Sequence, residues 1–283
     1  LKLKFEIISV YEKLDDYIKE LERPNANAQA LWEKYAIEPF WLKLSEYAPT
    51  DASSRKPKPV GDVGRLRKQV GLLKQLDVEE LNQVFEKIAS VLTDDEVTMT
   101  VALYPIDNYW VRMAQNGVLG TCMWGHIIIS IDPLAEGYEA WIPYVFGHEC
   151  FHNLWGRYWD RLHPGELDYI FVNDLLCDGL ADTFALSLCP GLKPKWLFDI
   201  SEEAEKKLWN EHFSQLIERT DVSYTKYMIG DDLDIPWCAG FAIGYRLAQQ
   251  YLKSHPNTSM RELLGKRPID IFNESGYAKL MKR

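Results

Sequence analysis

The 283-residue sequence has no apolar run approaching the roughly 20 residues that a helix needs to cross a bilayer. It is short of positive charge, with 32 Lys and Arg against 42 Asp and Glu, a net of −10. Such a chain repels a phosphate backbone, so no nucleic-acid partner is expected. Cysteine is sparse and odd in number. The five residues, at 122, 150, 177, 189 and 238, form neither a ladder nor a C-x-x-C pair. That pattern does not read as a disulfide framework. Free thiols in a reducing compartment are expected, and with no signal-peptide pattern the expected location is cytoplasmic. Low-complexity segments and internal repeats are also lacking.

What is present is a well-supplied core. Hydrophobic residues make up 47% of the chain, with 10 Trp, 15 Tyr and 11 Phe, enough for one or two domains. Residues 5–22 place Ile8, Tyr11, Ile18 and Leu21 near helical spacing between charges, which predicts an amphipathic helix. A second helix is predicted over 27–48 with a break near Pro39. A third starts at Asp77, which can cap, and runs to about Leu92. The basic stretch Ser54–Lys68, interrupted by Pro57 and Pro59, reads as a solvated loop leading into a helix.

From Val97 the pattern changes. Val97–Leu103, Val118–Thr121 and His126–Ile131 read as three strands, with Asn116-Gly117 as a turn and Asp132-Pro133 closing the sheet. Helical segments follow near 139–157, 167–188, 201–219, 238–254 and 259–264. The order of helices, a small sheet and more helices predicts a mainly helical α+β protein of two lobes with a central cleft. The expected division is a helical region over 1–95 and a second domain over 96–283. The latter comprises a sheet at 96–133, a key helix at 139–157 and a helical lobe at 165–283.

The key helix carries His148-Glu149-Cys150-Phe151-His152, an H-E-x-x-H pattern. Residues four apart share a helix face, so both imidazoles can reach one zinc ion. Glu149 adjoins the first histidine. It is too displaced to bind the same ion with them, yet close enough to act as general base on an attacking water. Apolar residues on both sides (Trp141, Ile142, Val145, Phe146, Leu154, Trp155) mark a buried helix, where imidazoles need partners.

A catalytic zinc usually has three protein ligands. The metzincin pattern requires a histidine where Tyr158 stands, and Gly156 falls one place late. In the apolar segment 171–188, however, Asp174, Asp178 and Asp182 recur at intervals of four. Buried carboxylates are costly unless paired or metal-bound. Asp178 is the favoured ligand, with Asp182 expected to orient a ligating histidine. Asp174 and the loop residue Glu166 are the alternatives.

HECFH, then LCDGLADTFA (176–185), then YMIGDDLDIPWCAGFAIGYRLAQQYL (227–252) resemble the predicted zinc-dependent proteases of the YjaZ type. That family is similar to the gluzincins, the group containing thermolysin. The resemblance covers roughly 100–280 and includes G-V-x-G at Gly117–Gly120. It implies a zincin-like fold and a peptidase acting on peptides or proteins. The family's second motif usually reads E-G-L-A, whereas this chain has Asp178-Gly179-Leu180-Ala181. Aspartate is one methylene shorter, so its helix must approach the ion by roughly 1.5 Å more, or bind through water, or favour another metal.

By the same resemblance, Tyr227 and Tyr245 are the best-placed donors to a developing oxyanion. Ordinary core packing is the competing role for each. Gly240 and Gly244 suggest a close helix contact, with the motif helix as one candidate partner. The strand around Gly117–Thr121 could pair with an extended substrate. Two rival functions stand beside a peptidase. One is an inactive metal-holding, peptide-binding protein, favoured by the shorter Asp178 and opposed by the presence of Glu149. The other is a hydrolase of non-peptide amides.

Overall fold

The computed structural model describes residues 4–230 and 234–282, so Asp231–Leu233 of the third motif lie outside the described residues. The chain divides into two compact units, 1–153 and 154–283.

The first unit runs β1 (Lys4–Ser9), α1 (Asp15–Leu21), α2 (Ala28–Trp32), α3 (Glu38–Leu44), α4 (Val63–Leu73), α5 (Val78–Leu92), β2 (Thr98–Pro105), α6 (Tyr109–Ala114), β3 (Val118–Cys122), β4 (Ile127–Ile131) and most of α7 (Tyr138–Gly156). The four strands form one sheet in the order β1-β2-β4-β3. β1 pairs with β2, and β2 with β4, in parallel. β3 pairs antiparallel with β4, from Val118 opposite Ile131 to Cys122 opposite Ile127. The middle strands are buried along almost their whole length, which is why they read as near-continuous apolar runs. β3, at the end of the order, is only half buried beyond Val118.

The amphipathic helix expected over 5–22 forms only from Asp15, and the first residues are a strand instead. Lys4–Ser9 pairs in register with Thr98–Leu103. Phe5 sets its ring edge against Phe146 of α7, with centroids 5.2 Å apart. A parallel partner more than 90 residues away decides the backbone here, over a short local period. The second predicted helix is α2 and α3 joined by a π-helical turn, Glu33–Ile37, with Pro39 in the first turn of α3. There its fixed φ is compatible with the helix. Asp77 caps α5 as predicted, accepting from the Glu80 N–H.

The basic stretch leads into a helix, α4, as expected, but its Arg65 is drawn inward. Asp62 caps α4 by accepting from the Arg65 N–H at 2.8 Å. The Arg65 guanidinium reaches the buried Asp132 at 2.6 Å, as does Arg112. Gln69 donates to the other oxygen of Asp132 at 3.0 Å. A fully buried carboxylate needs such partners, and they bind α4 and α6 to the end of β4.

α7 is held against this unit by its aromatic face. Phe146 stacks on Phe85 of α5, with ring centroids 3.9 Å apart. One turn past the motif's glutamate, buried Asn153 donates through Nδ2 to the carbonyls of His126 and Glu149 at 3.1 and 2.9 Å. This joins the β3–β4 turn to α7.

The second unit is helical: α8 (Phe171–Leu188), α9 (Lys195–Phe198), α10 (Glu202–Leu208), α11 (Ala239–Ser254), α12 (Met260–Leu264), α13 (Pro268–Ser275) and α14 (Tyr277–Met281), with π-helical turns between some of them. α8 and α11 meet at backbone distance. A β-carbon on Gly179 would overlap the backbone of Gly244, and one on Gly244 the carbonyl of Leu175. The close contact expected of Gly244 is made with α8, the helix carrying Asp178. Gly240 gives its space to Met228. The first N–H groups of α8, from Phe171 and Val172, donate to the carbonyls of Arg219 and Ile217, so its N-terminus is not left unsatisfied.

Candidate functional site

α7 carries His148, Glu149 and His152. His148 and His152 are both half buried, with their Nε2 atoms 2.9 Å apart and their rings inclined at 73°. On a tetrahedral zinc with Zn–N bonds of about 2.0–2.1 Å, two imidazole nitrogens stand about 3.3 Å apart. The pair is therefore within a few tenths of an ångström of that arrangement. Glu149 is 8% exposed and lies against β3, because a β-carbon on Gly120 would overlap its Cγ and Oε1. Cys150 is fully buried. Burial, with a small contribution from Cys122, holds its thiol protonated well above the usual range.

α8 presents its carboxylates from an almost wholly buried helix. Asp178 is 6% exposed and accepts a hydrogen bond from the Tyr224 hydroxyl at 3.0 Å. Asp182 is fully buried and accepts from the Trp196 indole N–H at 3.3 Å. Asp174 is half buried. Burial first, and then the charge of Asp178, push its carboxyl up to about 6. Glu166 is exposed and pairs with His163 at 3.3 Å.

His148, His152 and Asp178 each offer one ligand atom, and these three atoms all lie within 4.8 Å of one another. Two imidazole nitrogens and one carboxylate oxygen are the donor set of a borderline divalent ion such as zinc. The residues therefore fit the group that the motif implies.

The two expected oxyanion donors are placed as follows. Tyr227 lies in the π-helical turn Thr225–Ile229 and packs its ring against Phe171 and Phe213, at centroid distances of 5.9 and 5.7 Å. Tyr245 on α11 sets its ring edge to Phe198 at 5.7 Å. Burial, then the nearby Asp182, raise its phenol above the ordinary value. Trp155 lies beside Trp159, Met228 is fully buried and Trp237 is 41% exposed.

Sequence reasoning missed Tyr224 and Asn153. Tyr224 belongs to no helical period, and its contact with Asp178 depends on the π-helical turn that follows it. Asn153 carried a readable signal, as a polar residue four places after Glu149 and followed directly by the apolar Leu154 and Trp155.

No curated protein and no solved structure matches the chain. Residues 78–272, well over half of the chain and including all of α5, match the family described as "Predicted Zn-dependent protease (DUF2268)", and the chain belongs to that family.

Proposed function

We propose that this protein is a zinc-dependent peptidase in which His148, His152 and Asp178 hold the ion and Glu149 is the general base. The observation that carries this reading is the convergence of one ligand atom from each of those three residues within 4.8 Å, with Glu149 next to His148 on α7. Bound zinc supplies a Lewis acid for the scissile carbonyl and for the attacking water.

The remaining work falls to the chain's own groups. Glu149 takes a proton from the attacking water and passes it to the leaving amine. Its burial beside β3 keeps the carboxylate where bulk water competes little for it. β3 contributes the edge of the sheet, whose backbone N–H and C=O groups suit an extended peptide. Gly120 keeps that edge close to Glu149. Tyr227 and Tyr245 are the proposed donors to the oxyanion, and Asp182 the proposed support of a ligating histidine.

Replacing Glu149 by Gln tests the assignment. The variant keeps its shape and removes the base, so zinc content should be unchanged while peptide cleavage falls by roughly 10²–10⁴-fold. Loss of zinc from Glu149→Gln would make Glu149 a ligand and refute the mechanism. A wild-type protein that is full of zinc and cleaves no member of a broad peptide library would favour the metal-holding binding protein. Cleavage confined to small non-peptide amides would favour the other hydrolase.

A further inference from the structure

Asp178 has a partner that no part of the H-E-x-x-H pattern supplies. The Tyr224 hydroxyl donates to Asp178 Oδ2 at 3.0 Å. A phenol ordinarily ionises near pH 10, so at neutral pH it is a donor. A carboxylate has room for about four hydrogen bonds or ligand bonds over its two oxygens, and accepting from Tyr224 is compatible with giving an oxygen to an ion.

The phenol is presented by a fixed backbone. Tyr224 immediately precedes the π-helical turn Thr225–Ile229. Three residues on, the Tyr227 ring wedges against Phe213 and against Phe171, which opens the same helix that carries Asp178. The Tyr227 N–H donates to the Ser223 carbonyl at 3.1 Å, and the Cys238 N–H to the Ile229 carbonyl at 2.7 Å. Met228 is fully buried beneath Gly240. Hydroxyl and carboxylate thus share one frame, built on α8. Tyr224 itself is 42% exposed, so packing of its ring is a minor part of the fold.

We propose that Tyr224 is a positioning residue for the metal centre, fixing the plane of the Asp178 carboxylate so that it meets the ion already oriented. This rests on the reading of Asp178 as a ligand. The physical gain is pre-organisation: an aspartate free to turn about its side-chain torsions must be ordered when the ion binds, and one held by a hydroxyl is ordered beforehand. Hydrogen-bond partners of ligands typically change metal affinity by about 10–100-fold.

The test is zinc affinity of the full-length chain, measured by competition with a chelator of known strength, in wild type, Tyr224→Phe, Asp178→Ala and the double variant. Tyr224→Phe should keep the wild-type circular dichroism and metal-free melting temperature and bind zinc about 10–100-fold more weakly. Asp178→Ala should weaken binding further, and adding Tyr224→Phe to it should change nothing more, since the hydroxyl acts only through the carboxylate. Asp178→Asn serves in the same cycle if the alanine variant does not fold. Wild-type affinity in Tyr224→Phe, with a clear loss in Asp178→Ala, would overturn the role of Tyr224 and leave the ligand assignment standing. An undiminished Tyr224→Phe effect in the Asp178→Ala background would also overturn it. Full zinc affinity in Asp178→Ala would remove the ligand reading, and this inference with it.

Discussion

Gly120 and Glu149 are in such close contact that a single methyl group on the glycine would occupy the volume of the glutamate's Cγ and Oε1. One residue lies on β3 and the other on α7, so the strand's position and that of the carboxylate are a single geometric fact.

Gly120→Ala should therefore displace the Glu149 side chain while leaving His148 and His152 in place. A misplacement of about 1 Å in a catalytic group can cost about 10²-fold in rate. The expected phenotype is full zinc content with cleavage reduced on that order, seen by metal analysis beside a peptide-cleavage assay. Unchanged turnover would mean that Glu149 relocates without loss, and that β3 does not govern it.

The histidine pair gives a second expectation. Zinc at 100 times its Kd should stabilise the wild-type fold by about 2.7 kcal/mol, read as a rise in melting temperature on adding the ion. His148→Ala should abolish both the bound zinc and that rise. Asp178→Ala should reduce them far more than Asp174→Ala, since Asp174 is not one of the three residues whose ligand atoms converge. A metal-replete His148→Ala protein would sink the centre as assigned.

Asp132 should make the fold sensitive to acid. Its burial alone would raise the carboxyl's pKa. Hydrogen bonds from Arg112, Gln69 and the Leu134 N–H, with the charge of Arg65, outweigh this and hold it below the ordinary value. A carboxyl whose folded pKa is lowered contributes stability that is complete above its unfolded pKa, about 3.9, and is lost as pH falls through the folded value. Breaking a buried ion pair by removing one partner costs about 3–5 kcal/mol. Both guanidiniums are partly exposed, which puts Asp132→Ala at the low end. Denaturant midpoints at pH 7 and pH 3 check this: the variant should fall well below wild type at pH 7, with the gap narrowing at pH 3. A gap independent of pH would exclude the ionised carboxylate as its source.

Much of the site was legible because its signals are local. The four-residue spacing of His148 and His152, the cap at Asp77 and the β-branched runs of β2 and β4 each depend on neighbours within a turn or a strand. What escaped depends on distant partners. Lys4–Ser9 looks helical until Thr98–Leu103 supplies a strand beside it. Arg65 looks like part of a solvated basic run until Asp132, 67 residues on, draws it inward. The glycines of α11 announced a close contact, but nothing near them in sequence said that Leu175 on α8 would fill it. Tyr224 is the sharpest case. A buried Asp178 calls for a donor, and the sequence offers fifteen tyrosines without saying which one the π-helical turn will present.

The burial of Cys150 gives the centre a built-in gauge. Its sulfur sits between Glu149 and His152 in the sequence, wholly enclosed and held in the unreactive thiol form. An alkylating reagent can reach it only after α7 has come away from its surroundings. The rate at which this one cysteine is labelled, located by mass spectrometry among the five, therefore measures how often the histidine-bearing helix opens. An ion held by His148 and His152 of α7 together with Asp178 of α8, as proposed, should slow the labelling, so the labelling rate would report whether that site is filled.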